Sequence, residues 1–259
     1  MITNKLLKVL VAIAFVAMIV VNALANILPI NGIDTGAVSN AYPNLFAPIG
    51  LTFAVWGLIY LLLAGYTVYQ FKTGWSAGRE QLLAKINRYF LASSVLNFVW
   101  IFSWHYQVIW LSLLLIVSIL ICLIKIADIL RGQKLQGLEK VLIGWPFSIY
   151  FGWITVATIA NATVWLVSWH WNGFGLSDVW WTVTVLLVGA LIGAWRLVKD
   201  QQLAYGLVIM WAYFGILLKH LSPLYFAGRY PAIVATVIFC LAIIGLTELF
   251  LLYRTKTIK

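Results

Sequence analysis

Charge is the scarcest property of this chain. Only 9% of its 259 residues are Asp, Glu, Lys or Arg, where a soluble domain carries about a quarter. Hydrophobic residues make up 64%. A soluble fold of this length has too little interior to hide that much apolar surface, so a soluble domain is excluded. Acid is rarer still, with seven Asp and Glu against 17 Lys and Arg and a net charge of +10. The basic excess does not point to nucleic acid, because it sits in short segments between apolar runs rather than in one patch. Cysteine is nearly absent. Cys122 and Cys240 lie inside apolar runs without CxxC or zinc-type spacing, which reads as two buried thiols. There is no Ser/His/Asp arrangement, no intramembrane carboxylate pair and no metal-ligand spacing, so nothing argues for a hydrolase or a redox enzyme.

What the chain does have is apolar length. Runs of about 20 apolar residues recur throughout, the signature of an all-α polytopic membrane protein; a transmembrane barrel would show short alternating segments. Eight spans are expected, at about 6–28, 48–71, 88–105, 107–127, 141–166, 178–197, 203–219 and 231–253. Charge sets their direction. Fifteen of the 17 basic residues fall in segments on one side, and only Lys219 and Arg229 on the other. The expected placement is integral to a membrane, as in a bacterial cytoplasmic membrane, with both termini in the cytoplasm. The first 25 residues also read as a signal peptide ending in Ala23-Leu24-Ala25, a rival to the first span. Trp and Tyr crowd the outer ends, as in an interfacial belt. No charge reaches the middle of a span: Arg196 and Glu248 near inner ends and Lys219 near an outer end can snorkel. Ion-coupled carriage and voltage sensing are thereby disfavoured.

Three spans carry aromatic or polar residues at depth, each on one helical face. The second has Phe53, Trp56 and Tyr60; the third has Ser93, Asn97 and Trp100; the fifth has Pro146, Tyr150, Trp153, Ala157 and Asn161. Their depths match within the outer half of the membrane. Asn97 should face the bundle, because an unpaired amide in lipid is costly. Spacing alone leaves two readings open. One is interhelical packing and hydrogen bonding. The other is an aromatic-walled pocket for a flat hydrophobic ligand.

The stretches "NLFAPIGLTFAVWGLIY", "LNFVW" and "PFSIYFGWITVATIAN" resemble, in order and in the matching spans, three motifs of the TspO/MBR family. These tryptophan-rich sensory proteins include the mitochondrial translocator protein. The resemblance covers about residues 5–167 and implies a five-helix core over 1–167, with 168–259 as a three-helix C-terminal extension. It departs from the pattern at Ile49, where a second proline is typical. The resemblance implies a receptor or sensor binding a tetrapyrrole such as protoporphyrin, or a sterol-like molecule, under the first extracellular loop. Carried over residue by residue, it implies Trp56, Asn97, Trp100, Tyr150, Trp153 and Ala157 as ligand-binding, with Phe46, Phe53, Tyr60 and Asn161 as further candidates. The three tryptophans would stack on the ligand, Asn97 and Tyr150 would hydrogen-bond it, and Ala157 would leave room. Residues 29–47 would form a lid, with Pro43 and Pro48 stiffening the approach to the second span.

No cofactor is required and no catalytic or metal residue is expected. The partners implied are the lipid bilayer and a hydrophobic small molecule, with a homodimer left open. A transporter or permease for an amphipathic compound is the alternative function, and an enzyme degrading the bound tetrapyrrole a third. His105, His170 and His220 all fall at outer ends, which reads as interfacial histidine rather than a metal site. Gly189 and Gly193 have small-xxx-small spacing, suited to close helix approach. Whether the last three spans dock on the core, cover a dimer face or extend the pocket stays open at this stage.

Overall fold

The computed structural model describes residues 3–28 and 30–257, with side chains through Arg254. Pro29, the first residue of the expected lid, lies outside the described residues, as do Lys259 and the side chain of Lys256. Nine α-helices and no strand occur among the described residues. They are α1 (Asn4–Ile27), α2 (Thr35–Asn40), α3 (Val55–Tyr69), α4 (Ala77–His105), α5 (Ile109–Leu130), α6 (Trp145–Ser168), α7 (Asp178–Asp200), α8 (Leu203–Leu221) and α9 (Pro231–Thr257). Seven are long and apolar enough to cross a membrane, counting the turn Gly50–Ala54 with α3 and the turn Lys140–Gly144 with α6. The chain is an integral membrane protein built from helices.

The remaining expected span, 88–105, lies within α4, which is long enough but too polar to qualify by composition. Its Ser93, Ser94 and Asn97 are fully buried, and the helix is packed between α1 and α5. Val95 and Val99 are exposed instead. The polarity that lowers its hydropathy is therefore turned inward, where partners exist.

Local chemistry sets the helix ends. Thr3, Ser76 and Ser177 each accept a hydrogen bond from the backbone N–H three residues on, satisfying a donor that the first turn leaves free. Pro146 follows a wide π turn in which Trp145 N–H bonds Lys140 O, five residues back. Proline can donate nothing to the ladder, and the wider register ahead of it absorbs the break.

Helices α1, α4, α5, α6 and α3 pack in that order into a closed ring, α3 returning to α1. Helices α7, α8 and α9 pack on one another, and α8 seats this unit against α6. Of the arrangements left open by sequence, docking on the core is the one seen. The approach is close enough to require glycine. A Cβ on Gly152 would stand 2.6 Å from Tyr205 O on α8, and Gly215 lies directly on Thr52. Gly189 and Gly193 do face a neighbour closely: a Cβ there would meet Tyr213 at 2.7 Å and Ile209 at 2.9 Å, both on α8.

One end of the bundle is basic and laced by ion pairs. Lys8 pairs with Glu80 at 2.9 Å, and Arg79 with Glu139 at 2.8 Å. Asp200 joins Arg196 at 2.7 Å to Arg131 at 3.0 Å, and Arg131 also meets Asp128. Arg196 was expected to snorkel. Instead it is only 5% exposed and is held by Asp200 from one turn along its own helix. A partner carboxylate at i+4 stabilises the cation in place.

Candidate ligand-binding site

At the end opposite the basic one, a cavity of about 300 Å³ opens between α1, α2, α3 and α4. Asn22 and Asn26 line it from α1, and Asp34, Thr35 and Gly36 from the start of α2. Gly50, Phe53, Trp56 and Tyr60 come from the turn and α3, and Trp100 from α4. Four residues expected of the pocket thus share one hollow. Steps of three and four along α3 bring Phe53, Trp56 and Tyr60 onto one face. Trp56 stacks on Tyr60 at 5.3 Å with planes 22° apart. Trp100 stacks on Trp104 at 5.8 Å and 17°.

Three more of the expected residues form a layer behind this wall. Trp153 meets Trp56 edge-on at 6.1 Å and Phe53 at 5.7 Å, and Tyr150 lies 6.0 Å from Trp56. Such tilted and edge-to-face contacts suit the ring quadrupoles. Asn97 is fully buried. Its Nδ2 donates to Tyr150 Oη at 3.0 Å, and its Oδ1 accepts from Asn22 Nδ2 at 2.9 Å. This chain ties α6 to α4 to α1 and fixes the amide of Asn22 at the cavity wall. Tyr150 and Asn97 therefore reach the cavity through Asn22 rather than line it.

The other three expected residues lie elsewhere. Asn161 donates to Ser112 Oγ on α5 at 2.7 Å. Ala157 is half-buried against the core. Phe46 is 1% exposed and packed in the core. None of them is among the residues lining the cavity.

The segment expected as a lid does cover this end, from Ile30 onward. It is anchored on both sides. His105 Nε2 meets Thr35 Oγ1 at 3.0 Å and His105 Nδ1 meets Ile30 O at 3.2 Å. Trp104 Nε1 donates to Thr35 O at 3.1 Å, and Tyr42 Oη donates to Gln107 Oε1 at 3.0 Å. On the far side His220 Nε2 lies 2.9 Å from Leu45 O, and Ile49 N–H donates to Gly215 O at 3.3 Å. Asn44 Oδ1 accepts from the backbone of Phe46 and Ala47, an Asx-type turn that sets the chain up for Pro48. His105 and His220 were expected at the interface. Both are fully buried, because the segment folds over them; His170 is exposed.

The chemistry of the hollow is aromatic and uncharged apart from Asp34. Asp34 Oδ1 is engaged in capping α2 at Ala37 N. The indole N–H of Trp100 is buried and has no acceptor among the described residues. Among the described residues no cation lines the cavity.

Comparison with known proteins agrees with the three motifs. The family described as TSPO-like protein matches over residues 8–250, which takes in α7–α9 as well as the ring. No curated protein and no solved structure matches the chain. With a match that runs nearly from end to end, the chain belongs to the TSPO-like family.

Proposed function

We propose that this protein is a membrane receptor or sensor that binds a flat hydrophobic molecule in the hollow beneath residues 30–47. The observation that carries the reading is the convergence of Phe53, Trp56, Tyr60 and Trp100 on one cavity. Ring faces supply stacking for a flat ligand, and a few polar groups fix its orientation. A volume of about 300 Å³ is at the small end for ligand sites. Among the described residues the lining offers no cation to anionic side groups and carries Asp34, so a neutral polycycle of sterol-like shape is favoured over a tetrapyrrole bearing carboxylates. On the same reading the basic end faces the cytoplasm, by the distribution of Lys and Arg, and the ligand enters from the opposite face.

The test is saturable quenching or shift of Trp fluorescence in detergent-purified protein. A neutral sterol and protoporphyrin are titrated in parallel. The expected result is saturation with the sterol, weakened about tenfold or more in Trp56→Ala. Equal sterol affinity in wild type and Trp56→Ala would overturn the proposed site. Tighter porphyrin binding than sterol binding would overturn the choice of ligand class. Flux of the bound ligand into proteoliposomes would instead make the protein a permease.

A further inference from the structure

A second, larger hollow lies outside the ring, where α3 and α6 face α8 and α9. It is a groove of about 1200 Å³. Leu58, Leu207 and Trp211 on its walls are partly open to the surroundings, so the groove is reached sideways, from lipid. Its polarity is graded along its length. At the basic end it begins with Lys140, Gln201, Gln202 and Arg254. Beyond them the lining is apolar, from Leu203 along α8 to Trp211, whose Nε1 is already bonded to Thr52 O.

Two measurements give the occupant its shape. From Gln202 to Trp211 is nine residues of helix, roughly 14 Å at 1.5 Å per residue. One leaflet of a bilayer offers about 15 Å of hydrocarbon, half of about 30 Å. The groove is therefore as long as one leaflet and carries its polar groups where a headgroup sits. Charge gives the chemistry. Lys140 and Arg254 are exposed and make no ion pair among the described residues. No carboxylate lines the groove among the described residues. Glu139 beside it is taken by Arg79, and Glu248 on α9 packs against Gly206 instead. Gln202 accepts from Ser148 through Oε1, which leaves its amide hydrogens as donors.

We propose that this groove holds one anionic phospholipid of the surrounding leaflet. Lys140 and Arg254 hold its phosphate, Gln202 donates to it, and one acyl chain lies along α8. The site is formed between the ring and the three C-terminal helices, so the lipid fills the seam between them. It stands independently of the ligand proposed for the opposite end.

Native mass spectrometry of the detergent-purified protein tests this, with equal amounts of phosphatidylglycerol and phosphatidylcholine of the same acyl chains. The wild type is expected to retain phosphatidylglycerol preferentially. Each cation near a membrane surface contributes roughly a fivefold preference for anionic lipid, so K140Q/R254Q is expected to lose about twenty- to thirtyfold. A control, K5Q/K134Q, removes two exposed cations from the same end, outside the groove, and is expected to keep the preference. Leu207→Trp keeps every charge and sets a bulky ring across the acyl path, and is expected to weaken lipid retention. The proposal is overturned if K140Q/R254Q retains the wild-type ratio. Equal loss in the control would make the preference a property of the whole basic end. Unchanged retention in Leu207→Trp would show that no chain lies in the groove.

Discussion

Asn97 is the residue through which the packing of three helices reaches the cavity, and Asn97→Leu removes that link while keeping the branched shape of the side chain. Two interhelical hydrogen bonds are lost, to Asn22 and to Tyr150. Bonds of this kind inside membrane bundles contribute about 0.6 kcal/mol on average and about 1.7 at most, so the expected destabilisation is about 1–3 kcal/mol. The loss is not evenly shared. Asn22 keeps its bond to Met18 O at 2.9 Å, whereas the fully buried Tyr150 hydroxyl is left with no partner among the described residues. Tyr150→Phe in the Asn97→Leu background removes that stranded hydroxyl. The double variant should therefore be less damaged than the two single effects combined, by about 1 kcal/mol or more. The assay is unfolding by sodium dodecyl sulfate in mixed micelles, followed by Trp fluorescence on all four members of the cycle. Strict additivity would refute the reasoning, since it would mean that Asn97 and Tyr150 do not interact. Ligand affinity in Asn97→Leu should fall as well, because the Asn22 amide is no longer held at the wall.

Trp100→Phe shrinks a buried ring stacked on Trp104 and should cost about 1–2 kcal/mol, partly offset by deleting a buried donor without an acceptor. It should weaken sterol binding about fivefold or more, as read by competition binding. His105→Ala removes the contacts to Thr35 and Ile30; hydrogen exchange over residues 30–42 should quicken, with about 1–2 kcal/mol lost globally. Gly152→Val places side-chain carbons against Tyr205 O and should cost about 1–3 kcal/mol by forcing α6 and α8 apart, measured by the same detergent unfolding. Ile49→Pro keeps a φ of −66° that proline favours but deletes the bond to Gly215 O. Global stability should move by less than about 1 kcal/mol, as lost bonding offsets the stiffer unfolded chain, while exchange over Gly50–Ala54 quickens.

The ring and the aromatic wall were legible in sequence because both rest on period. Phe53, Trp56 and Tyr60 span seven residues, roughly 10 Å along the axis, so they keep one face over two turns. The stripe on α6 is longer, and period alone misleads there. Asn161 lies eleven residues past Tyr150, roughly 16 Å along the axis, and it finds Ser112 on α5 instead of the hollow. Asn22 is the counterpart miss. An amide in an otherwise apolar first span was the available signal, since it needs a partner inside the bundle. Asp34, Thr35 and Gly36 gave no such signal. Their place at the cavity depends on how the segment after α1 crosses the bundle, and that path is fixed by His105 and Trp104, about 70 residues on.

The departure at Ile49 acquires a physical meaning from the last three helices. A second proline after Pro48 would stiffen the approach to α3 by fixing φ, and would have no N–H to offer. Ile49 reaches nearly the same φ, −66°, and uses its N–H on Gly215 O of α8. Around that bond α8 engages the same stretch repeatedly. Trp211 Nε1 bonds Thr52 O, Gly215 admits the Thr52 side chain, and His220 Nε2 meets Leu45 O. Rigidity that a covalent ring would supply locally is thus supplied here by docking. The consequence is coupling. The turn that carries Gly50 and Phe53 into the cavity is thus held by the same helix that lines the second groove, and Trp211 serves both: its ring is on the groove wall and its Nε1 donates to Thr52 O.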